Sequence, residues 1–130
     1  METEFVPYKQ SLELKALGFN EPCFGYYDGN HNLQFMYNGK PEKFTERRMG
    51  PAESVWVGWI SAPLYQQAFR WFRENYDLSG LIEIGTHEFS YQIFKNGNRQ
   101  LGLEPIKYNG NYEEAEFECL KKLIEIVKIK

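Results

Sequence analysis

The period of the apolar positions changes several times along this 130-residue chain, and each change predicts an element. From about Pro7 to Leu17, Tyr8, Leu12 and Ala16 recur four apart with Lys15 beside them, while Leu14 and Leu17 widen the stripe. This predicts a helix, with Pro7 suited to its first turn and Gly18 to the residue past its end. Cys23-Phe24-Gly25-Tyr26-Tyr27 then reads as a strand. Asp28-Gly29-Asn30 reads as a turn, and Leu33-Gln34-Phe35-Met36-Tyr37 as a half-buried returning strand that ends at Asn38-Gly39.

The stretch 40–54 has no period. It holds Pro41, Gly50, Pro51 and the pair Arg47-Arg48, and a loop of that length in a compact domain usually carries function. Val55-Trp56-Val57-Gly58-Trp59-Ile60 follows as a buried or edge strand, rich in residues that favour a pleated surface. Ser61-Ala62-Pro63 is expected to open a second helix that runs to about Tyr76. Leu64, Ala68, Trp71 and Phe72 form one apolar stripe of it, with Tyr65, Phe69 and Tyr76 adjoining. Gln66, Gln67, Arg70, Arg73 and Glu74 make the polar arc.

Asp77-Leu78-Ser79-Gly80 should end that helix and lead into a second hairpin. Its strands are Leu81 to Ile84 and Glu88 to Lys95, joined by Gly85-Thr86-His87, with Phe89, Tyr91 and Ile93 on one face and Ser90, Gln92 and Phe94 on the other. Asn96-Gly97-Asn98 reads as a turn before a short strand at Leu101–Leu103. The last helix is the clearest element. Asn111 is a good N-cap, and Glu114 stands at capping-box spacing. Ala115, Cys119, Leu120, Leu123, Ile124 and Val127 form a broad apolar face. Glutamates crowd the start of this helix and lysines its end, which suits the helix dipole. The order of elements predicts an α+β fold in a single domain over 1–130: one antiparallel sheet of four to five strands with about three helices packed on it.

Composition sharpens this picture at one point. Ten Phe, nine Tyr and three Trp make 17% of the chain, more rings than so small a core needs, so some are expected to line a groove, a pocket or an oligomer interface. The net charge of −3 argues against binding long nucleic acid, which needs a clustered basic face. Cys23 and Cys119 stand far apart, in no metal-ligand spacing, and read as two free thiols, at least partly buried, with a single disulfide as the alternative. The acidic Met1-Glu2-Thr3-Glu4 start leads into no signal-like apolar run, and no stretch nears the length of a membrane span. An intracellular protein with no membrane partner is expected.

Catalytic patterns are scarce. His31 lies in the turn Asn30-His31-Asn32 and reads as solvated. His87-Glu88 lacks the second histidine that a zinc helix needs, since Tyr91 holds that position. Ser61 sits in no nucleophile elbow and reads as a helix-start residue, and Glu83 and Glu88 read as two surface carboxylates. The glycines form no phosphate-binding set. No enzyme, cofactor or metal site is expected. What remains is a binding pattern: Arg70 and Arg73 stand beside Trp71 on the second helix, and Arg47 and Arg48 precede Trp56 and Trp59. Arginine grips phosphate or carboxylate and rings stack on planar ligands, so these seven residues are the candidate ligand site. The competing explanation is a core face flanked by solvated charges.

Three segments carry a resemblance: Phe5-Val6-Pro7-Tyr8 through Phe24; Ala62-Pro63-Leu64-Tyr65-Gln66-Gln67-Ala68-Phe69-Arg70-Trp71-Phe72-Arg73-Glu74-Asn75-Tyr76; and Tyr112-Glu113-Glu114-Ala115-Glu116 to Val127. In this order they resemble a family of small uncharacterised proteins encoded by tailed phages and prophages of gut Bacteroidota. The family has no established catalytic residues. The resemblance implies a phage accessory protein in the cytoplasm of an infected or lysogenic host. Such a protein acts stoichiometrically, by sequestering a nucleotide immune signal or by binding and redirecting a host protein, and a homo-oligomer fits the excess of rings.

Overall fold

The computed structural model describes residues 4–35, 40–41, 59–86, 88–95, 98–99, 106–108 and 111–129. The chain divides into two compact units, Met1–Leu64 and Tyr65–Lys130. Among the described residues the fold is α+β, with three helices and two antiparallel sheets. The strands are therefore shared between two sheets, one in each unit, where the sequence pattern suggested one sheet of four to five strands.

The first unit starts with helix α1, Tyr8–Ala16, entered from Pro7 in an extended conformation. Its end is a Schellman turn. The Phe19 N–H donates to the Leu14 carbonyl and the Gly18 N–H to that of Lys15, with Gly18 at φ +104°, where a side chain would be strained. Leu14 and Phe19, the apolar pair that accompanies such a cap, are both buried. This cap, together with a hydrogen bond from the Ser11 hydroxyl to the Val6 carbonyl (3.1 Å), decides which face of α1 turns inward. The buried positions are Gln10, Ser11 and Leu14, whereas Leu12 is 42% exposed and Ala16 is exposed. The expected Tyr8–Leu12–Ala16 stripe is thus not the packing face.

Strands β1 (Gly25–Tyr27), β2 (Leu33–Phe35) and β3 (Ile60–Ala62) form the first sheet in the order β2-β1-β3. β1 and β2 are joined by residues 28–32, in which the Asp28 N–H donates to the Asn32 carbonyl and closes a three-residue turn. The His31 N–H donates to the Asp28 carbonyl, and His31 itself sits at φ 66°. One face of the sheet carries Tyr27, Ile60 and Ala62, which cluster with Phe5 beside Tyr8, Leu33 and Leu64. Ser61 and Ala62 were expected to open a helix, yet both lie in β3. Pro63 explains the correction: the residue before a proline is driven from helical to extended backbone. Leu64 then pairs with Phe5 in an isolated bridge.

The second unit opens with α2, Tyr65–Tyr76, and passes through Asp77, at φ 56°, straight into β4, Leu78–Ile84. β4 pairs along its length with β5, Phe89–Lys95. On the other side of β5 lie two short strands, β6 (Asn98–Arg99) at one end and β7 (Ile106–Tyr108) at the other. Neither β6 nor β7 was foreseen as such, and the strand expected at 101–103 lies outside the described residues. Helix α3, Tyr112–Ile129, completes the unit. Asn111 caps it through its side-chain oxygen, which accepts the Glu114 N–H at 2.9 Å.

The core of this unit follows the helical period. Ala115, Cys119, Leu120, Leu123, Ile124 and Val127 are the buried residues of α3, and Tyr65, Ala68, Phe69, Trp71 and Phe72 those of α2. The sheet meets them at Gly80, where a Cβ would stand 2.8 Å from Cys119 Sγ and 3.4 Å from Leu123 Cδ1. A side chain there would collide with α3, so glycine is what lets strand and helix approach.

Candidate functional site

Helix α2 carries three of the seven candidate residues, and it separates them. Aromatic and aliphatic positions three and four apart make one stripe, and that stripe is drawn into the core. Trp71 goes with it. It is 5% exposed and packs edge-on against Phe72 (5.1 Å between ring centroids) and Tyr76 (5.4 Å). Arg70 and Arg73 lie on the opposite, exposed arc with Gln66 and Glu74. The two guanidinium groups are one helical turn apart, so they share a face. Trp71 is therefore core, and of the three candidates on this helix the two arginines face solvent.

Trp59 belongs to the first unit. It is half-buried and its ring lies almost parallel to that of Tyr26, with centroids 4.2 Å apart and an interplanar angle of 18°. Strand pairing explains the meeting. Tyr26 points to the face of β1 opposite Gly25 and Tyr27, and Trp59 precedes β3, which runs alongside. Tyr26 was not among the candidates, and the uniformly apolar run of residues 23–27 carried no signal that would set it apart from its neighbours. Arg47, Arg48 and Trp56 lie outside the described residues.

A second ordered group sits at the tip of the β1–β2 hairpin. One oxygen of Asp28 accepts the backbone N–H of Asn30 (2.9 Å) and of Asn32 (3.0 Å), and the other accepts the Gln34 side-chain amide (3.1 Å). These bonds, that of Asn32 foremost, hold the Asp28 carboxyl below its ordinary value, and the charge of nearby His31 adds to the effect. His31 is exposed and stacks on Tyr8, with centroids 3.8 Å apart and 16° between the planes. The Asp-Gly-Asn sequence marked the turn, but not the role of Asp28 as its hub.

The remaining groups with chemical potential are held to structural partners. Cys23 and Cys119 are free, buried thiols. The Cys23 thiol donates to the Glu21 carbonyl at 3.4 Å, and burial pushes the Cys119 thiol up to about 12, with Glu116 adding to it. A thiol so shifted stays protonated at neutral pH and is a poor nucleophile. The Glu83 carboxylate accepts a hydrogen bond from Gln92 and faces Ser90 across the hairpin, so it does not face Glu88. Ser61 is buried in β3. His87 lies outside the described residues. Among the described residues, no group of three or more His, Cys, Asp or Glu could hold a metal ion, and no helix is long and apolar enough to cross a membrane.

Comparison with protein families, with curated proteins and with solved structures finds no match to this chain.

Proposed function

We propose that this chain is a non-catalytic accessory protein, of the phage-encoded kind its sequence resembles, that inhibits or redirects a host protein. The contact is the arginine-bearing arc of α2, docked on an acidic surface of that protein. The observation that supports this reading is the division of α2, with Trp71 locked inside and Arg70 and Arg73 exposed one turn apart. A convex helical arc suits a protein surface better than a small ligand, which is normally enclosed in a concave site. Arginine is also among the residues most often found to dominate such contacts.

The test is capture of host proteins from lysate by the full chain and by the double variant Arg70→Glu, Arg73→Glu. A partner whose affinity falls by at least about 30-fold in the folded variant, and which dissociates as salt rises, fits the reading. A partner that the variant retains undiminished removes α2 as the contact.

A small-ligand reading is favoured by one separate observation, the half-buried Tyr26–Trp59 stack: its rings are too close to admit a base between them, but a planar base can extend such a stack from outside. In that reading the protein sequesters a phosphorylated nucleotide that serves as a host immune signal. Native mass spectrometry with linear and cyclic nucleotides separates the two. A saturable added mass, lost in Trp59→Ala, supports sequestration, and a bare protein with every nucleotide rejects it.

A further inference from the structure

β4 differs from every other described strand at a sheet edge. β2 and β3, the edges of the first sheet, have three residues each, and β6 and β7 have two and three. Shortness is a common protection against unwanted pairing. β4 has seven residues, Leu78-Ser79-Gly80-Leu81-Ile82-Glu83-Ile84, with no lysine, arginine or proline. Among the described residues it has a hydrogen-bonded neighbour on one side only, β5.

The hairpin register shows which backbone groups face the open side. The Gly85 N–H donates to the Glu88 carbonyl, so that pair is hydrogen-bonded. Bonded and non-bonded pairs alternate in an antiparallel ladder. Glu83, Leu81 and Ser79 therefore bond to β5, while Leu78, Gly80, Ile82 and Ile84 present N–H and C=O groups to the open edge. Leu81 is 46% exposed and Ile84 71% exposed.

We propose that this edge pairs with the same edge of a second copy of the chain, antiparallel about a twofold axis at Leu81. The strand is complementary to itself in that register. Leu78 meets Ile84, Ser79 meets Glu83, Gly80 meets Ile82, and Leu81 meets its own counterpart. Every outward backbone group then faces another outward group, so the ladder continues through all seven residues of each β4. Leu81 falls at a non-bonded pair, where side chains approach most closely. The only charge in the strand, Glu83, lies across from a serine. A register centred on Glu83 would instead set two carboxylates face to face, which is unfavourable. An isologous interface of this kind closes as a dimer and does not grow into a filament.

The experiment is native mass spectrometry and sedimentation of the full chain, with two variants of Leu81. The unmodified chain is expected at twice its 15.4 kDa mass. Leu81→Lys places two ammonium groups together at the axis and is expected to give the mass of one chain with an unchanged circular dichroism spectrum. Leu81→Cys is expected to form a disulfide-linked dimer under mild oxidation, whereas Glu83→Cys does not, because its counterpart is Ser79. A chain that stays single at every concentration overturns the proposal. So does a dimer that Leu81→Lys leaves intact and Leu81→Cys does not link.

Discussion

Of the three buried residues of α1, two, Gln10 and Ser11, are polar, whereas α3 buries six residues of which none is charged and none carries a hydroxyl or amide. The two units are ordered by different means. In the first, strands of three residues and a nine-residue helix surround an apolar cluster of Phe5, Tyr27, Ile60 and Ala62, and individual hydrogen bonds to single backbone groups set which residues turn inward. In the second, two amphipathic helices pack on a hairpin of two seven-residue strands, and the packing of apolar stripes sets the arrangement. A fold of the second kind spreads its stability over many contacts. One of the first kind adds to its apolar cluster a dependence on a few polar atoms, and substitutions should report that difference.

The largest effect is expected from the second unit. Phe72 is fully buried, and Phe72→Ala should cost about 3–5 kcal/mol in chemical denaturation. A loss well below that range would mean that the stripe of α2 can collapse around the gap.

That difference also decided what could be read in advance. All six inward positions of α3 and the stripe of α2 follow from the helical period, because burial there is a repeated pattern. The inward face of α1 does not follow, because Ser11 is buried for its bond to Val6 and Leu14 for its place in the cap at Gly18. Such causes are single atoms and leave no period. β3 was displaced because a serine before an apolar run resembles an N-cap, and the weight of Pro63 on Ala62 was not counted. At the candidate site, the outward arc of Arg70 and Arg73 was legible. Grouping Trp71 with them joined two opposite faces of one helix.

The next effect probes the contact between strand and helix in the second unit. Gly80→Ala should destabilise by about 1–3 kcal/mol, because its Cβ would meet Cys119 Sγ at 2.8 Å. Cys119→Ala removes that sulfur, so the double variant should be less destabilised than the two single losses summed. Strict additivity in thermal or denaturant unfolding would place the strain elsewhere. The thiol adds a pH signature. With its folded value raised from 9.0 to about 12, its contribution is complete below 9.0 and is lost as pH climbs toward about 12. Cys119→Ala should flatten that alkaline decline.

In the first unit the comparable focus is one carbonyl. Val6 is fully buried, and its oxygen accepts both the Tyr27 hydroxyl at 2.7 Å and the Ser11 hydroxyl at 3.1 Å. Tyr27→Phe or Ser11→Ala alone should cost about 1 kcal/mol, since one donor still satisfies the oxygen. Losing both leaves a buried acceptor unsatisfied, and the double variant should fall by more than the sum. An additive pair would show that water reaches Val6 when either hydroxyl is absent.

The smallest effect belongs to the hairpin tip, where the same reliance on single groups appears at the surface. The Asp28 carboxylate gathers two backbone N–H groups and one amide, and every one of those donors prefers the ionised form. Partial desolvation pushes the other way, but the Asn32 bond outweighs it, so the folded value lies below 3.8. A lowered folded value means that ionised Asp28 supports the turn at every pH above 3.8, and that this support is lost as pH falls through the lowered value. The amide shifts of Asn30 and Asn32 should titrate together, with a midpoint under 3.8. In Asp28→Asn the titration should vanish. A midpoint at or above 3.8 would mean that the three hydrogen bonds do not persist in solution, and that this turn is held by backbone geometry alone.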